Sequence, residues 1–72
     1  MNIYEQKMLW ELFRKTGLPR DQFGNFLPVK DMIVWFELDR VLTREDQEWI
    51  ANELRAMVKA ECLMEQIRLG SR

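Results

Sequence analysis

Few side chains in this sequence could do catalytic chemistry, and none of them stands in a catalytic arrangement. The chain has 72 residues, no histidine and one cysteine, Cys62. Cys62 has acidic neighbours and no nearby cation to favour its thiolate, so we expect a packing residue and not a nucleophile. Glu61 and Glu65 are four positions apart and could hold a cation, although such a pair is more often a solvated helix face. The three glycines fit no phosphate-binding pattern. Because the chain also has no histidine and no activated cysteine, we expect no enzymatic activity, no cofactor and no metal site.

Cysteine usage and charge limit the compartment and the partners. A single cysteine can form no internal disulfide, which is typical of a reducing compartment. The formal net charge is −1, without the basic excess that is usual in nucleic-acid binders. No apolar run approaches the length of a transmembrane helix, and the start of the sequence lacks the apolar segment of a signal peptide. We expect a cytoplasmic protein with no membrane partner.

Polar side chains near the start of the last predicted helix support one nucleic-acid hypothesis. If the last two helices form a helix-turn-helix, the recognition helix begins at Thr43 and offers four side chains to DNA: Arg44, Gln47, Asn52 and Arg55. Three acidic residues crowd the same helix end, where DNA phosphates would repel them: Glu45, Asp46 and Glu48. Small acidic DNA binders usually act as dimers, so a dimeric helix-turn-helix transcriptional regulator is the alternative function.

The most apolar stretch of the chain, 32–38, must be buried by the other elements. Four apolar residues follow the spacing of one helical face: Val29, Met32, Ile33 and Phe36. Pro28 suits the first helical turn, and the pattern predicts a helix over 29–41. A β-strand is the alternative, because the run also alternates and is rich in β-branched and aromatic residues. A helix here is apolar on two sides, so we expect neighbours on both sides, or one neighbour and a partner chain.

Two elements precede this stretch. Helical spacing of apolar residues predicts a first helix over 3–16, ended by Gly17. Because this helix is apolar over more than one contact face, Trp10 is expected either to be buried between two other helices or to contact a partner. Residues 17–28 form a loop rich in proline and glycine. Its apolar residues either pin the loop to the core or act as exposed anchors of a binding loop: Leu18, Phe23, Phe26 and Leu27.

The last helix is predicted over 44–69. Thr43 is a good N-cap, Asp46 stands where a capping box places glutamate, and Gly70 is the expected stop. The short join at 42–43 makes the last two helices a helical hairpin.

The apolar stripe of the last helix shifts by more than a quarter turn between its two halves. Either the helix bends near 59–61, or its second half faces something different from its first half. We favour the second explanation, in which Leu63, Met64 and Ile67 pair with another chain; alternatively, this tail folds onto the first helix. No heptad pattern lasts for three repeats, so a long coiled coil is not expected.

These patterns predict an all-α fold: a single three-helix domain, 1–72, built from a helical hairpin plus an N-terminal helix, with a long C-terminal helix and a dimeric state. We expect a small non-enzymatic regulatory protein that acts by protein–protein interaction. It would be an inhibitor or adaptor that binds a larger protein through an exposed apolar helical face, or a homodimer. Short regulatory proteins, including those of phages and mobile elements, share this size and apolar content. Tryptophan and methionine are common interface residues, and the residues expected at the interface are Trp10, Trp35, Leu63, Met64 and Ile67.

Overall fold

Three α-helices make up most of the computed structural model, which describes residues 1–70. α1 is Ile3–Thr16, α2 is Val29–Trp35 and α3 is Arg44–Gly70, and one turn of 3-10 helix, Leu38–Arg40, lies between α2 and α3. No β-strand occurs among these 70 residues, so the all-α prediction is confirmed. Positions 71 and 72 of the predicted 1–72 domain lie outside the described residues.

Side-chain and glycine caps define the two ends of α1. The Asn2 side-chain oxygen accepts a hydrogen bond from the backbone N–H of Glu5 at 2.9 Å, which satisfies a donor that the helix itself leaves free. At the other end Gly17 has φ 74°, and its N–H donates to the carbonyl of Phe13. Glycine adopts this left-handed backbone without a Cβ penalty, so the chain turns here at little cost.

α2 ends six residues earlier than the 29–41 helix that the sequence predicts. After Trp35 the chain turns at Glu37, whose backbone is left-handed at φ 60° and ψ 23°. With about 100° of rotation per residue, an uninterrupted helix would put Leu38 on the side opposite Met32 and Ile33. The turn instead directs Leu38 into the core, where it is buried with both. The prediction of a continuous helix was therefore wrong beyond Trp35, and the strand alternative was wrong as well.

The core lies where α1, the loop, α2 and the first half of α3 meet. Its seven buried apolar side chains come from these four segments and from the 3-10 turn: Phe13, Leu18, Met32, Ile33, Leu38, Ile50 and Leu54. The rings of Phe13 and Phe36 lie 4.9 Å apart and join α1 to the end of α2. The core uses only one side of α2, so Val34 and Trp35 stay more than half exposed. The described residues, 1–70, therefore cover α2 on one side and leave Val34 and Trp35 exposed.

The 17–28 loop is folded back on itself around Asp21. The Asp21 carboxylate accepts hydrogen bonds from the N–H groups of Phe23 and Asn25, at 2.9 and 3.0 Å. Leu18 is buried and Phe26 is half-buried against the core, whereas Phe23 is 78% exposed. The loop residues therefore divide between the two predicted roles. Leu18 and Phe26 pack the loop against the core, whereas Phe23 is exposed to solvent.

α3 runs from Arg44 to Gly70 without interruption. Thr43 caps its start, because its hydroxyl accepts the N–H of Asp46 at 3.2 Å. The Asp46 carboxylate contacts the Met1 ammonium at 3.2 Å. At 1.5 Å per residue, 27 residues of helix span about 40 Å, close to the 44 Å long dimension of the molecule. The second half of α3 therefore extends past the core.

Candidate protein-binding surfaces

One side of the second half of α3 carries a stripe of exposed apolar side chains. We name it the tail stripe, and it consists of Ala56, Ala60, Leu63, Met64 and Ile67. Spacings of three and four residues align them on one side of the helix. Leu63 is 51% exposed, Met64 61% and Ile67 69%, and both alanines are exposed. Contiguous exposed apolar surface of this kind is typical of interaction sites.

The other side of the same helical segment is held by the loop. The Arg20 guanidinium lies 2.9 Å from the Glu65 carboxylate and 3.7 Å from that of Glu61. It also donates to the Gly24 carbonyl at 2.8 Å and sits 3.8 Å from the centroid of the Phe26 ring. The Glu61/Glu65 pair thus binds a cationic side chain of the protein itself, Arg20. Since Arg20 binds the side away from the tail stripe, it steadies the helix and leaves the stripe open.

A second apolar patch lies on α1, the helix that the sequence predicted to be apolar over more than one contact face. Tyr4, Met8 and Leu12, at four-residue spacing, are 76%, 69% and 38% exposed, and Val41 is 75% exposed. Met8 and Val41 both line a shallow groove of about 270 Å³ between α1 and the chain that follows α2. The four-residue spacing was available as a signal. It could not show that these residues stay uncovered, because helical spacing alone also fits burial.

The two tryptophans predicted at the interface differ in their surroundings. Trp10 is half-buried: its ring lies 5.9 Å from that of Trp49, and its indole N–H donates to Glu53 at 3.3 Å. It therefore joins α1 to α3. Trp35 is 56% exposed and meets Phe36 edge-on. Leu63, Met64 and Ile67 lie together in the tail stripe, on a different helix from either tryptophan.

The side chains expected to contact DNA under the alternative hypothesis are partly engaged within the chain. The Gln47 amide is half-buried and donates to the Leu42 carbonyl at 3.0 Å, so it fastens the turn before α3. Arg55 donates to the Asn52 side chain at 2.9 Å, and both residues are exposed. Arg44 is exposed at the start of α3. Gln47 would have to leave its present partner to reach a base.

Three further properties of the described chain bear on ligands and membranes. Over residues 1–70, no cluster of three or more histidine, cysteine, aspartate or glutamate side chains is placed to hold a metal ion. None of the described helices combines the length and the apolar character needed to cross a membrane. Cys62 is a free, exposed thiol, so the prediction that it is a packing residue was wrong.

Comparison of the chain with known protein families, with curated proteins and with solved structures finds no match.

Proposed function

We propose that this chain is a non-enzymatic protein-binding module, an inhibitor or adaptor of the cytoplasm, that docks through the tail stripe. The observation that carries the proposal is the exposure of Leu63, Met64 and Ile67 together on one side of a helix that extends past the core. Fully burying an aliphatic side chain of this size contributes about 1.5–3 kcal/mol. Covering three that are half or more exposed supplies several kcal/mol toward binding.

The state of the helix before binding also supports the proposal. A segment that must fold on binding loses part of its interaction energy to ordering. Here the segment is already helical, and Arg20 braces it through Glu61 and Glu65. A preformed helix presenting apolar side chains three and four residues apart is the form in which helices bind apolar grooves.

The test is an affinity pull-down from native lysate with the whole chain, with and without nuclease, read by mass spectrometry. Ile67→Gln removes one member of the tail stripe. Ile3→Gln is a matched control, because Ile3 is also a helical isoleucine and is 68% exposed against 69% for Ile67. We expect a stoichiometric protein that survives nuclease, is retained by Ile3→Gln and is lost with Ile67→Gln.

Two results would overturn the proposal. Capture that collapses with nuclease would favour the DNA-binding alternative, and Arg44 and Arg55 would become the residues to replace. Capture that survives nuclease and is equally strong with both isoleucine variants would place the binding site elsewhere on the molecule.

A further inference from the structure

We infer that the tail stripe binds the tail stripe of a second copy of this chain, with the two α3 helices antiparallel. The inference rests on the proposed function, because a second copy would occupy the same surface whenever no other protein is docked there. Surface area, side-chain size and charge each support it.

The chain exposes more surface than a compact monomer of its mass. A compact monomer of 8.8 kDa is expected to expose about 4,800 Å², whereas this chain exposes 5985 Å². The excess of about 1,200 Å² is larger than the ~800 Å² that each partner contributes to a standard interface. Among the residues whose burial is described, the core holds seven buried apolar side chains, and small cores are commonly supplemented by oligomerisation. A second copy is present whenever the chain is, so it can supply that stability at all times.

The order of small and large side chains along the stripe favours the antiparallel arrangement. Ala56 and Ala60 come first, and Leu63 and Ile67 follow. When the second helix runs in the opposite direction, its Leu63 lies over Ala60 and its Ile67 lies over Ala56. Large residues then face small ones along the contact, as close packing requires. A parallel pair would set alanine against alanine at one end and leave a gap there.

Charge along the stripe gives the same orientation. Glu53 precedes Ala56 on the same side of the helix, and no member of the tail stripe is charged. A parallel pair would bring Glu53 against Glu53 of the second copy, and opposed like charges are destabilising. The antiparallel pair places Glu53 near the glycine at the far end of the second helix. In the same register Met64 of the second copy lies two positions, about 3 Å along the helix, from half-buried Met57, which lines a cleft of about 390 Å³ between α1 and α3.

The test is sedimentation equilibrium of the full chain and three variants: Leu63→Ala, Ala60→Leu, and the double variant Ala60→Leu/Leu63→Ala. We expect the wild type to be a dimer. Leu63→Ala should raise the dimer Kd by at least about tenfold, because the dimer loses two apolar side chains. Ala60→Leu should weaken it by overpacking against Leu63. The double variant restores a large-over-small pair, so it should bind more tightly than either single variant.

Each outcome has a defined meaning. Replacement at these exposed positions does not touch the core, and circular dichroism checks that each variant is helical. A wild type that stays monomeric near millimolar concentration overturns the inference, and so does a double variant no tighter than both single variants. If the wild type is monomeric but Ile67→Gln still abolishes capture of another protein, the proposed function stands and only the second copy is wrong.

Discussion

The Arg20 guanidinium nitrogen lies 2.9 Å from a carboxylate oxygen of Glu65, and this contact joins residues 45 positions apart. It connects the folded loop to a part of α3 beyond the core. An exposed ion pair alone contributes at most about 1 kcal/mol. Arg20 also stacks on Phe26 and donates to the Gly24 carbonyl, so the loop that it braces is itself ordered. Arg20 therefore adds a tertiary contact to the α3 tail, which the continuous helix also connects to the core.

Arg20→Ala should therefore loosen the tail with little effect on the core. We expect backbone amides over 61–68 to exchange with solvent about two- to fivefold faster, consistent with the loss of a contact worth under about 1 kcal/mol. Hydrogen-exchange mass spectrometry measures this directly. Arg55→Ala is the control, an exposed arginine of α3 whose guanidinium contacts Asn52. Equal exchange in the two variants would show that the brace does not act. High salt should shrink the difference, because exposed pairs are screened.

Glu37→Gly should stabilise the fold. Glu37 holds a left-handed backbone at φ 60°, which costs an L-residue with a Cβ about 1–2 kcal/mol. Glycine avoids that penalty but loses more entropy on folding, so the net gain in unfolding free energy should be about 0.5–1 kcal/mol. Urea denaturation measures it. Glu37→Ala is the control, because alanine removes the charge but keeps the Cβ and its left-handed backbone penalty. If Glu37→Ala raised the unfolding free energy as much as Glu37→Gly does, the backbone explanation would be wrong.

Thr43→Ala should destabilise the chain by about 1 kcal/mol, the usual cost of removing an N-cap hydroxyl. The Thr43 hydroxyl accepts the Asp46 N–H, and that donor would be left without its cap. Thr16→Ala is the comparison, since its hydroxyl donates to the Leu12 carbonyl at the end of α1 and caps no helix start. We expect that variant to lie within about 0.5 kcal/mol of the wild type. Thermal unfolding of both variants gives the two values, and equal losses would contradict a capping role.

The same substitution at two positions of α3 should have different effects. Leu54 is fully buried and Leu63 is 51% exposed. Leu54→Ala should cost about 2–5 kcal/mol through lost burial and a cavity, enough to unfold much of a chain this small. Leu63→Ala should cost less than about 1 kcal/mol in dilute solution, because its side chain leaves no cavity in the monomer. Urea denaturation at low protein concentration compares them, and similar losses would mean that the tail belongs to the monomer core.

Helix caps and apolar spacing explain how much of the fold could be predicted. Gly17 and Thr43 are local signals, and both act as the sequence analysis expected. The break at Glu37 was missed because neither glycine nor proline marks it. The signal was the position of Leu38, which a straight helix would have turned away from Met32 and Ile33. The burial of Leu38 in the core therefore determined the backbone conformation at Glu37, although the local sequence pattern favoured a continuous helix.

The surfaces were less predictable than the helices. Helical spacing shows that Leu63 and Met8 belong to apolar stripes, but it does not show which stripe the chain itself will cover. The offset between the halves of α3 was the informative feature, since a stripe on the wrong side of the helix cannot reach the same core. Arg20 was missed because it pairs with Glu65 across 45 positions, and no local pattern records such a distance.

The apolar stripes of the two halves of α3 are offset, so the rotation of one half relative to the other determines what each half contacts. The first half aims Leu54 at the core, and the second half aims Leu63 away from it. One alanine inserted between them would keep every side chain but rotate the tail by about 100°. Glu61 and Glu65 would turn away from Arg20, and the tail stripe would point in a new direction. The number of residues between Leu54 and Leu63 therefore sets the direction of the tail stripe relative to the core.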